Sequence, residues 1–160
     1  MKGTTHILGG IAAAAIAQNQ FNLGMENTII YYSTAVIGAI IPDICHPNSM
    51  IGRRLPILSK VFSSVFGHRS FTHSLLFFLL VFILTEQFTF EYAQTVQAGI
   101  LVGIGSHIVL DALTARGVKL LYPLKVNIRS PLFVRTGSLI GESLVVVGLL
   151  TLMVMTFFVS

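Results

Sequence analysis

The sequence predicts an all-α fold: a polytopic membrane bundle of about five transmembrane helices, with a short interfacial helix as a possible addition. Three observations predict it. Of the 160 residues, 54% are hydrophobic and 10% charged, and the mean hydropathy is +0.83, so little charge remains to cover a water-facing surface. Gly3 to Met25, Asn27 to Pro42, Ser70 to Thr85, Tyr92 to Leu110 and Ser143 to Ser160 contain no Lys, Arg, Asp or Glu, and a span takes roughly 20 mostly apolar residues. A soluble bundle apolar on every helix face would aggregate in water.

Helices are expected near residues 4 to 21, 23 to 42, 72 to 91, 94 to 114 and 139 to 159, in a single domain covering 1–160. The first is rich in Gly and Ala and suits tight packing in a bundle. Its alternative reading is a signal peptide, with Ala15-Ile16-Ala17 before Gln18 as the cleavage site. Pro42 and Pro47 fix the exit of the second helix. Between the second and third, Leu55, Leu58, Val61, Phe62, Val65 and Phe66 recur at helical spacing in a segment too short to cross. That segment either lies flat on the inner leaflet or packs as a loop on the bundle. Thr72 and Ser74 are candidate caps for the third helix.

The basic residues sort by loop. Lys2 precedes the first helix, Arg53, Arg54, Lys60 and Arg69 lie between the second and third, and Arg116, Lys119, Lys125, Arg129 and Arg135 between the fourth and fifth. The other two loops carry Glu26, Glu86 and Glu91. The positive-inside rule then predicts a multi-pass protein of the plasma or inner membrane, N-terminus cytoplasmic and C-terminus outside. The net charge of +4 belongs to this arrangement and is no sign of nucleic acid. Cys45 is the one cysteine, so no disulfide framework exists.

All five histidines fall toward the predicted cytoplasmic end: His6, His46, His68, His73 and His107. Asp43, Asp111 and Glu142 sit at the same end. Ionisable groups at membrane depth persist mainly when paired, hydrated or bound to something, and one shared ligand accounts for them together. Imidazole with carboxylate is the ligand set of zinc, iron or manganese rather than calcium, so one or two divalent ions are expected, with Zn2+ first and Mn2+ or Fe2+ as the others. His107 and Asp111, at i and i+4, lie on one helix face and can aim at one ion. His68 and His73 flank the start of the third helix, and Asp43 and His46 share the turn that ends the second. His6 is either a ligand or a solvated interfacial residue, and Glu142 a ligand, a general base or a partner of Arg135. Arg69 either holds a phosphate or contacts lipid headgroups.

At Thr5-His6, Pro42-Asp43-Ile44-Cys45-His46-Pro47-Asn48-Ser49, His68-Arg69-Ser70-Phe71-Thr72-His73-Ser74, Gly105-Ser106-His107-Ile108-Val109-Leu110-Asp111 and Gly117 ahead of Tyr122-Pro123, the chain resembles the YdjM-like family of LexA-regulated, membrane-bound, metal-dependent hydrolases. The resemblance covers nearly the whole chain. It implies a divalent metal held by His and Asp, and a distant kinship to zinc-dependent phospholipase C. Where that family usually has Asp-x-Asp-His-Pro, this chain has Cys45 in place of the second Asp, which is either a metal-binding thiolate or a small buried side chain.

The leading expectation is therefore hydrolysis of a phosphoester on a phospholipid or polyprenyl phosphate at the cytoplasmic face. In it His6, Asp43, His46, His68, His73, His107 and Asp111 are the metal ligands, Glu142 or Asp43 the base, and Arg69 the phosphate holder. The alternative is a non-enzymatic membrane protein, with either a structural metal that staples helix ends or metal-ion transport. Transport fits less well, because the helix middles, such as Phe77 to Leu84 and Val145 to Val154, are almost purely apolar.

Overall fold

The computed structural model describes residues 1–21, 26–67, 69–131 and 133–158. Among these the regular structure is helical, with two isolated β-bridges. Helix α1 is Gly3–Gln20, α2 Thr28–Ile40, α3 Pro56–Phe66, α4 Leu75–Glu86, α5 Ala93–Ala112 and α6 Leu139–Phe158. Two 3-10 turns, Ile41–Cys45 and Phe71–His73, follow α2 and precede α4. The predicted start of the second helix at residue 23 lies outside the described residues.

Among the described residues, three segments are long and apolar enough to cross a membrane: Thr28–Cys45, Ala93–Ala112 and Leu139–Thr156. The other two expected spans fall short for different reasons. Helix α1 has the length but carries His6, Gln18, Asn19 and Gln20. Helix α4 has 12 residues, about 18 Å at the helical rise. It starts later than the sequence suggests because Phe71–His73 takes a 3-10 turn, after which the Ser74 hydroxyl accepts from the Phe77 amide and caps the helix. The segment Leu55 to Phe66 is helical as α3 and begins with Pro56, whose missing N–H is harmless in a first turn.

The centre of the bundle is the pair α2 and α5, with α1 packed on both and α6 resting on α1. The pair crosses at backbone contact. A Cβ on Gly38 would overlap the Ile100 carbonyl, and one on Gly103 the Ala35 carbonyl, so glycine at both places lets the helices close together. The outer faces of α4 and α6 expose Leu, Ile, Val and Phe side chains, as expected of surfaces that face hydrocarbon rather than water. The buried polar residues instead include Thr5, His6, Thr72, His73, His107, Asp111, Thr114 and Glu142.

Candidate metal centre

Each turn and helix end delivers a group to one place. The 3-10 turn after α2 presents Asp43, the turn before α4 presents His73, and one face of α5 presents His107 and Asp111. These four can each offer a ligand atom such that all lie within 4.8 Å of one another. His73 Nε2 and His107 Nε2 are 3.1 Å apart, and Asp111 Oδ2 is 3.3 Å from the first and 3.8 Å from the second. Asp43 Oδ1 lies 3.9 Å and 3.8 Å from the same two nitrogens. A tetrahedral ion with bonds of about 2.0–2.2 Å spaces its ligand atoms by about 3.3–3.6 Å, so these separations sit around the edge length such an ion needs.

The other ring nitrogens are already committed. His107 Nδ1 donates to the Ala39 carbonyl at 2.6 Å, which leaves Nε2 with a lone pair. That carbonyl is available because the last carbonyls of an α-helix have no partner within it, and α2 gives way to a 3-10 turn immediately afterwards. His73 Nδ1 lies 3.0 Å from the Thr72 hydroxyl, which donates to Cys45 Sγ at 3.1 Å. Second partners of this kind fix the orientation of metal-binding imidazoles. Ser49 holds the turn that carries Asp43, its hydroxyl donating to the Asp43 carbonyl at 2.8 Å.

One carboxylate oxygen at the centre of the site lacks a hydrogen-bond donor. Asp111 is fully buried, and although Arg69 Nη2 forms an ion pair with Oδ2 at 2.9 Å, no donor meets that oxygen with hydrogen-bond geometry. Burial works against a charged His73 imidazole, but its contacts with Asp111 and then Cys45 outweigh that and push its pKa up to about 9. The donor set, the spacing and the unsatisfied Asp111 oxygen all fit a metal.

The remaining candidates surround this group. His6 stacks on His107 with ring centroids 3.8 Å apart, and its Nε2 lies 3.4 Å from Asp111 Oδ1. The Met1 amine donates to that same oxygen at 2.8 Å. Arg69 has its backbone in the left-handed region, φ 55°, a strained state for a side chain of its size, and donates from Nη1 to Thr114 Oγ1 at 3.0 Å. Glu142 is buried, but its partners are the Thr5 hydroxyl and the Gly137 amide rather than Arg135. His46, half-buried, stands outside the group of four, as does Cys45, buried between Thr72 and Pro42. His68 lies outside the described residues.

Sequence reasoning missed three participants. Thr72 reads as a cap but meets His73, Thr114 anchors Arg69, and the Ala39 carbonyl sets the His107 tautomer. For the threonines the signal was proximity in sequence to His73 and to Asp111.

A membrane-protein bundle that gathers two imidazoles and two carboxylates at one end defines the class: an integral membrane protein with a possible metal-binding site. The whole chain, residues 1–160, matches the family described as YdjM inner membrane protein, and the protein belongs to that family. It is 48% identical over 149 residues to the Bacillus subtilis (strain 168) protein YvsG, itself described as uncharacterized, covering 93% of this chain and 89% of the relative. It is 38% identical over 141 residues to the inner membrane protein YdjM of Escherichia coli (strain K12), covering 84% of this chain and 71% of that one. The same figures hold for YdjM of Shigella flexneri. No solved structure matches.

Proposed function

We propose that this protein is a membrane-embedded, metal-dependent hydrolase acting on a phosphoester of a lipid or lipid-like molecule at the cytoplasmic face. The observation that carries the proposal is the spacing of His73 Nε2, His107 Nε2, Asp111 Oδ2 and Asp43 Oδ1 around one point. His73, His107 and Asp111 are the permanent ligands, with zinc the ion that best suits nitrogen and oxygen donors in four-fold geometry. Bound there, a divalent ion supplies Lewis acidity toward water and a phosphoryl oxygen.

The chain's own groups supply the rest. Asp43 is the member of the four whose side chain retains exposure, 16%, while the other three are closed to solvent. It also stands farther from His73 than Asp111 does, 3.9 against 3.3 Å, so it is the group suited to take a proton from an entering water. Ala39 and Thr72 hold the imidazoles so that both Nε2 atoms face inward. Arg69 bears on Asp111 and offers its guanidinium to a phosphate, while His6 packs on His107 as a supporting residue. Glu142, bonded to Thr5 next to His6 in sequence, is a group that orients the start of α1. The charge of the basic loops supports an orientation with this end of the bundle in the cytoplasm and the end of α6 outside.

One observation favours a second reading. Three of the four donors are fully buried, and if Asp43 also binds, the coordination is closed and the ion is a structural staple. Metal analysis of detergent-purified protein, followed by a screen of phospholipids and polyprenyl phosphates, separates the two. Metal-dependent phosphate release that disappears in His107→Ala carries the hydrolase; full metal content without turnover, with unfolding on chelation, leaves the staple.

A further inference from the structure

The loop that follows α5 folds back on itself beside the metal centre. Val118 and Ile128 pair as an antiparallel bridge with N–O distances of 2.9 and 2.8 Å, and the Asn127 side-chain amide donates to the Arg116 carbonyl at 2.8 Å. Gly117 makes the turn with φ 64°, where a Cβ would strike the Ile128 carbonyl and Asn127. This local fold brings Arg116, Gly117, Lys119 and Asn127 together with Arg69 to line an open cleft of about 210 Å3, room for several water-sized groups.

The cavity has the chemistry of an anion site. Three cations line it, and among the described residues Arg116 and Lys119 have no carboxylate within ion-pair distance. Arg69 spans two sites: Nη2 reaches Asp111 at 2.9 Å, Nη1 reaches Thr114 at 3.0 Å, and its buried Nε has no partner. A planar guanidinium flanked by a second Arg and a Lys matches the several oxygens of a phosphate better than the single edge of a carboxylate.

We infer that Arg69, Arg116, Lys119 and Asn127 form a phosphate-binding subsite that seats a phosphomonoester beside the metal centre, with Arg69 linking the two. Its ligand is a terminal phosphate, from either an anionic lipid headgroup or free inorganic phosphate. Only the orientation of a bound ester toward Asp43 and Asp111 rests on the hydrolase reading; the subsite itself does not.

The test uses full-length protein in phosphatidylcholine nanodiscs, titrated with inorganic phosphate and with short-chain phosphatidic acid, binding followed by calorimetry. Arg116→Ala/Lys119→Ala is expected to weaken binding by at least about tenfold, as for loss of a charge-assisted contact, with metal content unchanged. Arg53→Ala/Arg54→Ala removes equal charge elsewhere on the predicted cytoplasmic side and is expected to leave the affinity as it was. Tighter binding of phosphatidic acid identifies the lipid as the source and equal binding identifies free phosphate; both support the subsite. Wild-type protein that binds neither probe, or equal loss in both double variants, overturns it. If the protein purifies without metal yet the first double variant alone loses the anion, the subsite stands and the hydrolase reading falls. If metal and turnover are present but Arg116→Ala/Lys119→Ala changes neither affinity nor KM, the subsite falls and the hydrolase reading stands.

Discussion

The His107 and Asp111 side chains meet because residues four apart stack on one helix face, which is why the pair was legible from spacing alone. The Ala39 carbonyl that fixes the His107 ring was not legible, since every residue carries the same backbone acceptor and its freedom depends on where α2 ends. Two substitutions test this shell. Thr72→Val keeps the shape but removes the hydroxyl that holds His73, and is expected to lower metal affinity by about 10- to 100-fold, as for other outer partners of metal ligands; competition with a chromogenic chelator measures it. Cys45→Ser is expected to leave the metal stoichiometry unchanged, because the thiol contacts Thr72 and Pro42 and stands outside the group of four. Metal analysis that found the ion missing would instead make the thiol a ligand.

Among the elements, the five apolar segments were read correctly as helices because hydrophobic runs of this length have few other uses. The extent of the third was not, because Ser70 to Thr85 is uniformly free of charge while the backbone breaks at Phe71–His73 to turn an imidazole inward. Periodicity did show α3, whose apolar stripe is plain even in a segment too short to span. The contact between α2 and α5 was invisible in composition, since Gly38 and Gly103 look like any other glycines until the helices are paired. Gly103→Leu drives a branched side chain into the Ala35 carbonyl and is expected to destabilise the bundle by at least about 1–3 kcal/mol, the usual penalty of overpacking. Thermal unfolding in detergent measures the loss, and metal content should fall with it as Ala39 is pushed away from His107.

At the scale of the molecule, an ion bound at the proposed site would add stability that depends on its supply. Chelation is expected to lower the unfolding temperature and re-addition to restore it, corresponding to about 2.7 kcal/mol when free metal is one hundred times the dissociation constant. The proposed orientation is tested separately by single cysteines in a Cys45→Ser background: Arg54→Cys and Lys125→Cys should be shielded from an impermeant thiol reagent applied outside the cell, and Glu91→Cys should react. Loop charge was readable from the sequence, whereas the pairing of Thr114 with Val134 and of Val118 with Ile128 was not, because these two bridges join residues with no strand pattern between them. The four donors come from three separate stretches of chain, and the last pair belongs to α5. During biogenesis, therefore, a chain inserted only as far as α4 would hold two of the four donors, and the proposed site could not be complete before α5 settles against α2.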